Sequence, residues 1–134
     1  MANSLVFTPN AACSNLVVLR GIIPGTTYDH TWHVEDWDCV AGTLIDDADY
    51  TNNGGFILWF ADAAGALVVQ VTGNIVGAEN GGKIQFPMSA AQTELLRGQT
   101  IGRCGAAFVD NAGRNMPIES GRYHVTDWPA ITWP

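Results

Sequence analysis

The feature that most constrains this fold is a series of short apolar segments separated by turn-forming residues. In the clearest segment, residues 28–34, Tyr28, His30, Trp32 and Val34 alternate with Asp29, Thr31 and His33. A period of two predicts a strand with one buried face. The chain has seven or eight such segments and no alternating long helices. This pattern excludes a parallel α/β sheet and predicts an all-β, antiparallel immunoglobulin-like β-sandwich.

The other strands are predicted from apolar runs bounded by Gly, Pro, Asn and Asp. Pro87 has no N–H to donate, which predicts an edge strand or a bulge there. Ser120 and Gly121 indicate a bulge in the last strand, and residues 35–53 are predicted to form a long connection. The predicted strands are residues 5–8, 16–19, 56–61, 66–72, 83–88, 101–109 and 116–126.

One segment has helical signals. Ser89 and Gln92 have the spacing of a capping box, and Leu95 and Leu96 come just before Gly98, a helix-stop signal. A single short helix is predicted within residues 89–97.

The predicted core follows the alternation of the strands. Its members are the large apolar side chains on the inward face, and Trp59 is assigned to the core on the same grounds. The core residues predicted to be mostly buried are Tyr28, Trp32, Val34, Leu58, Phe60, Ile84, Phe86 and Phe108.

Length and charge limit the possible partners. A chain of 134 residues suits one domain, here residues 1–134 with extended terminal arms at about 1–20 and 127–134. The net charge is −7 and Lys83 is the only lysine. This charge argues against nucleic-acid binding and against an anionic membrane surface. Charged residues make up only 14% of the chain, which favours a surface covered by a protein partner.

The three cysteines are Cys13, Cys39 and Cys104, and no Cys-x-x-Cys motif occurs. An odd, scattered set argues against a disulfide framework and predicts free thiols made in a reducing cytoplasm. The first residues lack a basic segment followed by an apolar one, so no signal peptide is predicted.

No catalytic, cofactor or metal site is predicted, and the chain is not expected to be an enzyme. His30 and His33 lie on opposite faces of one strand and cannot chelate one ion together. The acidic run at Asp46, Asp47 and Asp49 lacks the Gly and Glu of a calcium-binding EF-hand loop. No Gly-x-Ser-x-Gly motif occurs.

Apolar residues outside the predicted core are assigned to protein interfaces. Tryptophan is enriched among interface anchors, and residues 5–7 are expected to add a strand to a neighbouring sheet. The expected interface residues are Leu5, Phe7, Trp37, Trp128, Ile131 and Trp133. The same tryptophans leave open a carbohydrate-binding module, in which aromatic rings stack on sugars.

The order of elements resembles the small immunoglobulin-like domains of tailed-phage structural proteins. The matching segments are Gly-Thr-Thr-Tyr at 25–28, Phe-Ile-Leu-Trp-Phe at 56–60, and a strand that runs into Ser-Ala-Ala-Gln-Thr at 89–93. The chain is similar to the N-terminal domain of baseplate upper proteins and to short phage tail proteins, over about residues 21–126. Two features depart from the family: the long connection at 35–53, and His30, where the family has an aliphatic residue.

The resemblance implies a non-enzymatic virion component of the tail, baseplate or fibre-attachment region. Its partners would be other virion proteins and copies of itself. A capsid decoration protein of the phage head is the alternative within virions, and a module that binds host glycans is the alternative of another class.

Overall fold

A computed structural model describes residues 2–7, 17–38, 40–41 and 43–126 of the chain. These residues are mostly strand, with one short helix. The elements are β1 (Ala2–Phe7), β2 (Val17–Ile22), β3 (Thr27–His33), β4 (Glu35–Asp38), β5 (Thr43–Asp47), β6 (Gly55–Ala61), β7 (Leu67–Ile75), β8 (Lys83–Met88), α1 (Ala90–Glu94), β9 (Ile101–Val109) and β10 (Asn115–Val125).

Eight of the strands form one sheet in the order β1-β3-β8-β7-β6-β9-β10-β2, which nearly closes into a barrel. The all-β class is therefore confirmed. The pairs inside the sheet are antiparallel, but both edge strands pair in parallel, β1 with β3 and β2 with β10. The prediction of a purely antiparallel arrangement was wrong at these two edges.

Strand β7 joins the two halves of the sheet, because one part of it pairs with β6 and the other part pairs with β8. Six of its first seven residues pair with β6, with a register shift at Val68, and Asn74 and Ile75 pair with β8. Gly73 stands where the pairing changes, and a Cβ there would lie 2.4 Å from Cε1 of Phe86. Local sequence patterns cannot reveal a strand that pairs with two different neighbours. They indicate which face of a strand is buried, but not which strands it pairs with.

The core lies inside this curved sheet. Tyr28, Trp32, Leu58, Phe60, Ile84 and Phe86 are buried as predicted, while Val34 and Phe108 are partly buried against the same cluster. Trp59 is not a core residue. It lies between the buried Leu58 and Phe60, so its side chain is on the outer face of β6.

Hydrogen bonds from β3 and from the end of β10 hold β2 in place. The Tyr28 hydroxyl donates to the Arg20 carbonyl at 2.6 Å. Thr126 N–H donates to the Ile22 carbonyl at 2.9 Å. These bonds attach β2 to β3, which is near the opposite end of the strand order, and to the residue that follows β10. The near-closure of the barrel is therefore supported by hydrogen bonds besides those of the β2–β10 ladder.

The short helix begins as predicted, with Ser89 and Gln92 forming a complete capping box. The helix, Ala90–Glu94, lies within the predicted range of residues 89–97. Thr93 is buried, donates its hydroxyl to the Thr26 carbonyl at 2.6 Å and accepts Gly25 N–H at 3.1 Å. The helix therefore fastens the turn that precedes β3.

Two local expectations require correction. Pro87 is not on an edge strand, because β8 lies between β3 and β7. However, β7 pairs with β8 only at Gln85 and Ile84, so no ladder bond from β7 is needed at Pro87. The bulge in β10 falls between Pro117 and Glu119, not at Ser120 and Gly121.

The expected N-terminal arm is a strand where the structure describes it. Ala2–Phe7, with Leu5 and Phe7, forms β1 on the chain's own β3, and residues 17–20 belong to β2. The second expected arm, residues 127–134 with Trp128, Ile131 and Trp133, lies outside the described residues.

Candidate functional site

The strands β4 and β5 form a separate two-stranded sheet within the connection at 35–53. Sequence patterns missed both strands. The hairpin is fixed to the barrel at its root, where Val34 N–H donates to the Gly82 carbonyl at 2.8 Å and Ala48 N–H to the Val34 carbonyl at 3.0 Å. We call residues 35–47 the acidic hairpin.

The far part of the acidic hairpin carries three exposed apolar side chains among its described residues. Val40 is fully exposed, Ile45 is 67% exposed and Leu44 is 49% exposed. Trp37, a predicted interface residue, stands on the rung opposite Leu44. Large apolar side chains on a hairpin outside the core are typical of a surface that a protein partner covers.

The root of the acidic hairpin brings together three polar side chains. His33 Nε2 lies 2.8 Å from Asp47 Oδ1. One donor atom from each of His33, Glu35 and Asp47 lies within 4.8 Å of the other two. Sequence spacing could not show this group, because Glu35 and Asp47 are twelve residues apart in a connection for which no strands were predicted.

The neighbouring acidic residues have local structural roles. Asp49 Oδ1 accepts the Thr51 hydroxyl at 2.6 Å and Thr51 N–H at 3.0 Å, and these bonds lower the pKa of Asp49. Asp46 Oδ1 accepts Asp47 N–H at 2.8 Å. Asp49 thus stabilises the turn at Thr51, and Asp46 bonds within β5; among the described residues neither belongs to a group of three metal-binding side chains.

A second surface lies on the outer face of β6 and β9. The indole of Trp59 covers Gly105, where a Cβ would lie 2.4 Å from Cζ2 of the ring. Two shallow pockets share Trp59 and Asn115, one reaching Ser120 and the other Gln70. An aromatic ring beside amide and hydroxyl groups is an arrangement that suits a sugar ring.

His30 and Cys104 face the interior. His30 is fully buried, and burial lowers its pKa to about 3. Burial raises the pKa of the Cys104 thiol to about 12. A neutral imidazole and a protonated thiol enclosed in the core are unsuited to catalysis at neutral pH.

No family model matches the chain, and no curated protein is detectably similar to it. Within the described residues, no helix is long and apolar enough to cross a membrane.

Proposed function

We propose that this chain is a non-enzymatic structural component of a bacteriophage virion, in the tail, baseplate or fibre-attachment region. It works by assembling with copies of itself and with other virion proteins. The phage setting rests on the resemblance of residues 21–126 to immunoglobulin-like domains of tailed phages. The assembly role rests on one structural observation, the apolar part of the acidic hairpin.

The hairpin supports assembly because Leu44 and Ile45 are largely exposed in the part of the chain that the structure describes. Leu44 and Ile45 both stand on β5, in which four of five residues are exposed. Burying an exposed leucine or isoleucine is worth about 1.5–3 kcal/mol. These two residues form the core of the proposed interface, and the neighbouring Asp46 on the same strand is exposed at its rim.

The first test changes the hairpin and measures mass in solution. The double variant Leu44→Ser, Ile45→Ser should lower the oligomeric mass measured by light scattering, while its circular dichroism spectrum stays that of the parent. Leu95→Ser is the matched control, since Leu95 is 57% exposed at the C-cap of α1, outside the hairpin. A parent protein that is monomeric at high concentration would contradict self-assembly.

The virion location needs a separate experiment. Density for this β-rich domain should be found at the tail, baseplate or fibre-attachment region in cryo-EM maps of intact particles. Density on the head lattice would favour a capsid decoration protein, and a chain absent from purified particles would contradict the proposal.

A carbohydrate-binding role is the second candidate, and the outer face around Trp59 is the observation that favours it. A glycan array probed with the parent and with Trp59→Ala separates the two functions. Binding that Trp59→Ala abolishes would support the glycan role, whereas no binding by the parent leaves assembly as the supported function.

A further inference from the structure

The root of the acidic hairpin has the donors of a metal site. We propose that His33, Glu35 and Asp47 bind one divalent transition-metal ion, for which zinc is the best match. The binding of the ion does not depend on the virion role proposed above. A bound ion would hold the acidic hairpin in one position, and this would favour the proposed assembly with other virion proteins.

The three side chains come from three different strands, and the backbone holds them in place. His33 ends β3, Glu35 begins β4 and Asp47 ends β5. Glu35 and Asp47 are partners on one rung of the β4–β5 ladder. Val34, between His33 and Glu35, donates its N–H to the Gly82 carbonyl, and Ala48, next to Asp47, donates its N–H to the Val34 carbonyl.

Close packing at the root adds to this rigidity. Gly82 has a φ of 69°, a value that favours glycine. A Cβ on Gly82 would lie 2.3 Å from the Val34 carbonyl oxygen and 3.0 Å from the Ala48 nitrogen. The backbone that carries the three donors therefore packs closely against the barrel. Little conformational entropy of this backbone is lost when an ion binds.

The charges around the root call for a cation. The rungs Glu35–Asp47 and Asp36–Asp46 both place acidic residues directly opposite each other, an arrangement that destabilises a ladder. Residues 35–53 contain six acidic residues and no Lys, Arg or His. Lys83 is the partner of His33 in the β3–β8 ladder, and the ion pairs found among the described residues do not include it.

The donor set selects the kind of ion. An imidazole with two carboxylates suits zinc and other first-row transition metals, whereas calcium and magnesium prefer oxygen donors alone. Donors around tetrahedral zinc are about 3.3 Å apart, given bonds of about 2.0–2.1 Å. The distance from His33 Nε2 to Asp47 Oδ1 is 2.8 Å, and no pair of donor atoms in the group is more than 4.8 Å apart, so the zinc value lies within this range. Small side-chain rotations would form the site, with water completing the coordination.

Zinc titration by calorimetry tests the proposal, using the full chain after EDTA treatment and dialysis. The background carries Cys13→Ser and Cys39→Ser, so that thiolates at these positions cannot bind the metal. We expect one zinc per chain with a Kd of about 1–10 µM, and a higher melting temperature. The absence of saturable binding up to about 1 mM zinc would overturn the proposal.

Substitutions locate the ion. Glu35→Gln and Asp47→Asn keep the size of each side chain and should each weaken zinc binding by about tenfold or more. His124→Ala and Asp49→Asn are the controls, since neither residue belongs to the group, and both should bind like the parent. Equal affinity in parent, Glu35→Gln and Asp47→Asn would overturn the assignment.

Cobalt gives a readout that a purely structural role of these residues would not produce. Cobalt(II) bound in place of zinc should give visible absorption bands, and their intensity reports the coordination number. The bands should disappear in His33→Ala. Bands that persist in His33→Ala would show that the imidazole is not a ligand and would overturn the site.

Discussion

A single buried histidine distinguishes the core of this domain. His30 lies on the inward face of β3, with its ring centroid 4.4 Å from that of Tyr28 and 5.9 Å from that of Phe60. Neither ring nitrogen has a hydrogen-bond partner within the described residues. The alternation of β3 predicted this inward position, and burial explains why the imidazole stays neutral.

Replacing His30 should change how stability depends on pH. Burial lowers the folded pKa of His30 to about 3, while the unfolded value is about 6.5. Between these values the unfolded chain binds more protons, so the free energy of unfolding is highest above about pH 6.5 and falls as pH decreases, by roughly 5 kcal/mol in total. His30→Leu should remove this loss.

Urea unfolding at several pH values between about 5 and 7 measures the effect, in a range above the carboxylate pKa values. His124→Leu is the matched control and should lose stability with falling pH as the parent does. If His30→Leu and the parent lose stability in parallel, His30 is already protonated or solvated in the folded state.

At the element scale, β7 determines the architecture. It carries the pairing from β6 to β8, and the change of partner falls at Gly73 and Asn74. The Gly73 position faces Phe86 and Phe56 so closely that a side chain has no space. The turn of the sheet therefore depends on a glycine and on the two aromatic rings packed against it.

Gly73→Ala should destabilise the domain by about 1–3 kcal/mol, because the added methyl overlaps the Phe86 ring. Asn74→Ala, at the exposed neighbouring position, should have a smaller effect. Urea unfolding of Gly73→Ala, Phe86→Leu and the double variant forms a cycle. A coupling energy near zero would show that the overlap is relieved elsewhere.

Sequence patterns predicted elements best where the signals are local. The bounds of β8 and β9 agree with the prediction, and that of β6 differs by one residue. The strands β4 and β5 were missed because acidic residues occupy their rungs and hide the apolar alternation. The group of His33, Glu35 and Asp47 was missed with them, since it exists only when those strands pair.

At the scale of the whole molecule, the closure of the sheet could not be read from the sequence. The two parallel edges join residues 2–7 to 27–32 and residues 17–22 to 121–125. Pairings between strands so far apart in the chain leave no local sequence pattern. The position of Trp59 was also mispredicted from its local sequence. Its large apolar side chain was assigned inward, although the alternation of β6 places it on the outer face beside Gly105.

The described fold ends at Thr126, whose N–H donates to the Ile22 carbonyl. Residues 127–134 follow it and lie outside the described residues. Those eight residues carry Trp128, Ile131 and Trp133, and Pro129 and Pro134 disfavour a helix or a central strand. Burying one indole is worth about 2–3 kcal/mol by area, so two can hold this segment in a neighbouring subunit.

Deleting residues 127–134 should therefore leave a cooperatively folding domain of lower oligomeric mass. The full-length triple variant Trp128→Ser, Ile131→Ser, Trp133→Ser should behave in the same way, because it removes the apolar anchors and keeps the length. Circular dichroism melting and light scattering measure the two properties separately. If the truncated chain no longer melts cooperatively, the segment packs on its own barrel, and the acidic hairpin alone is left to support assembly.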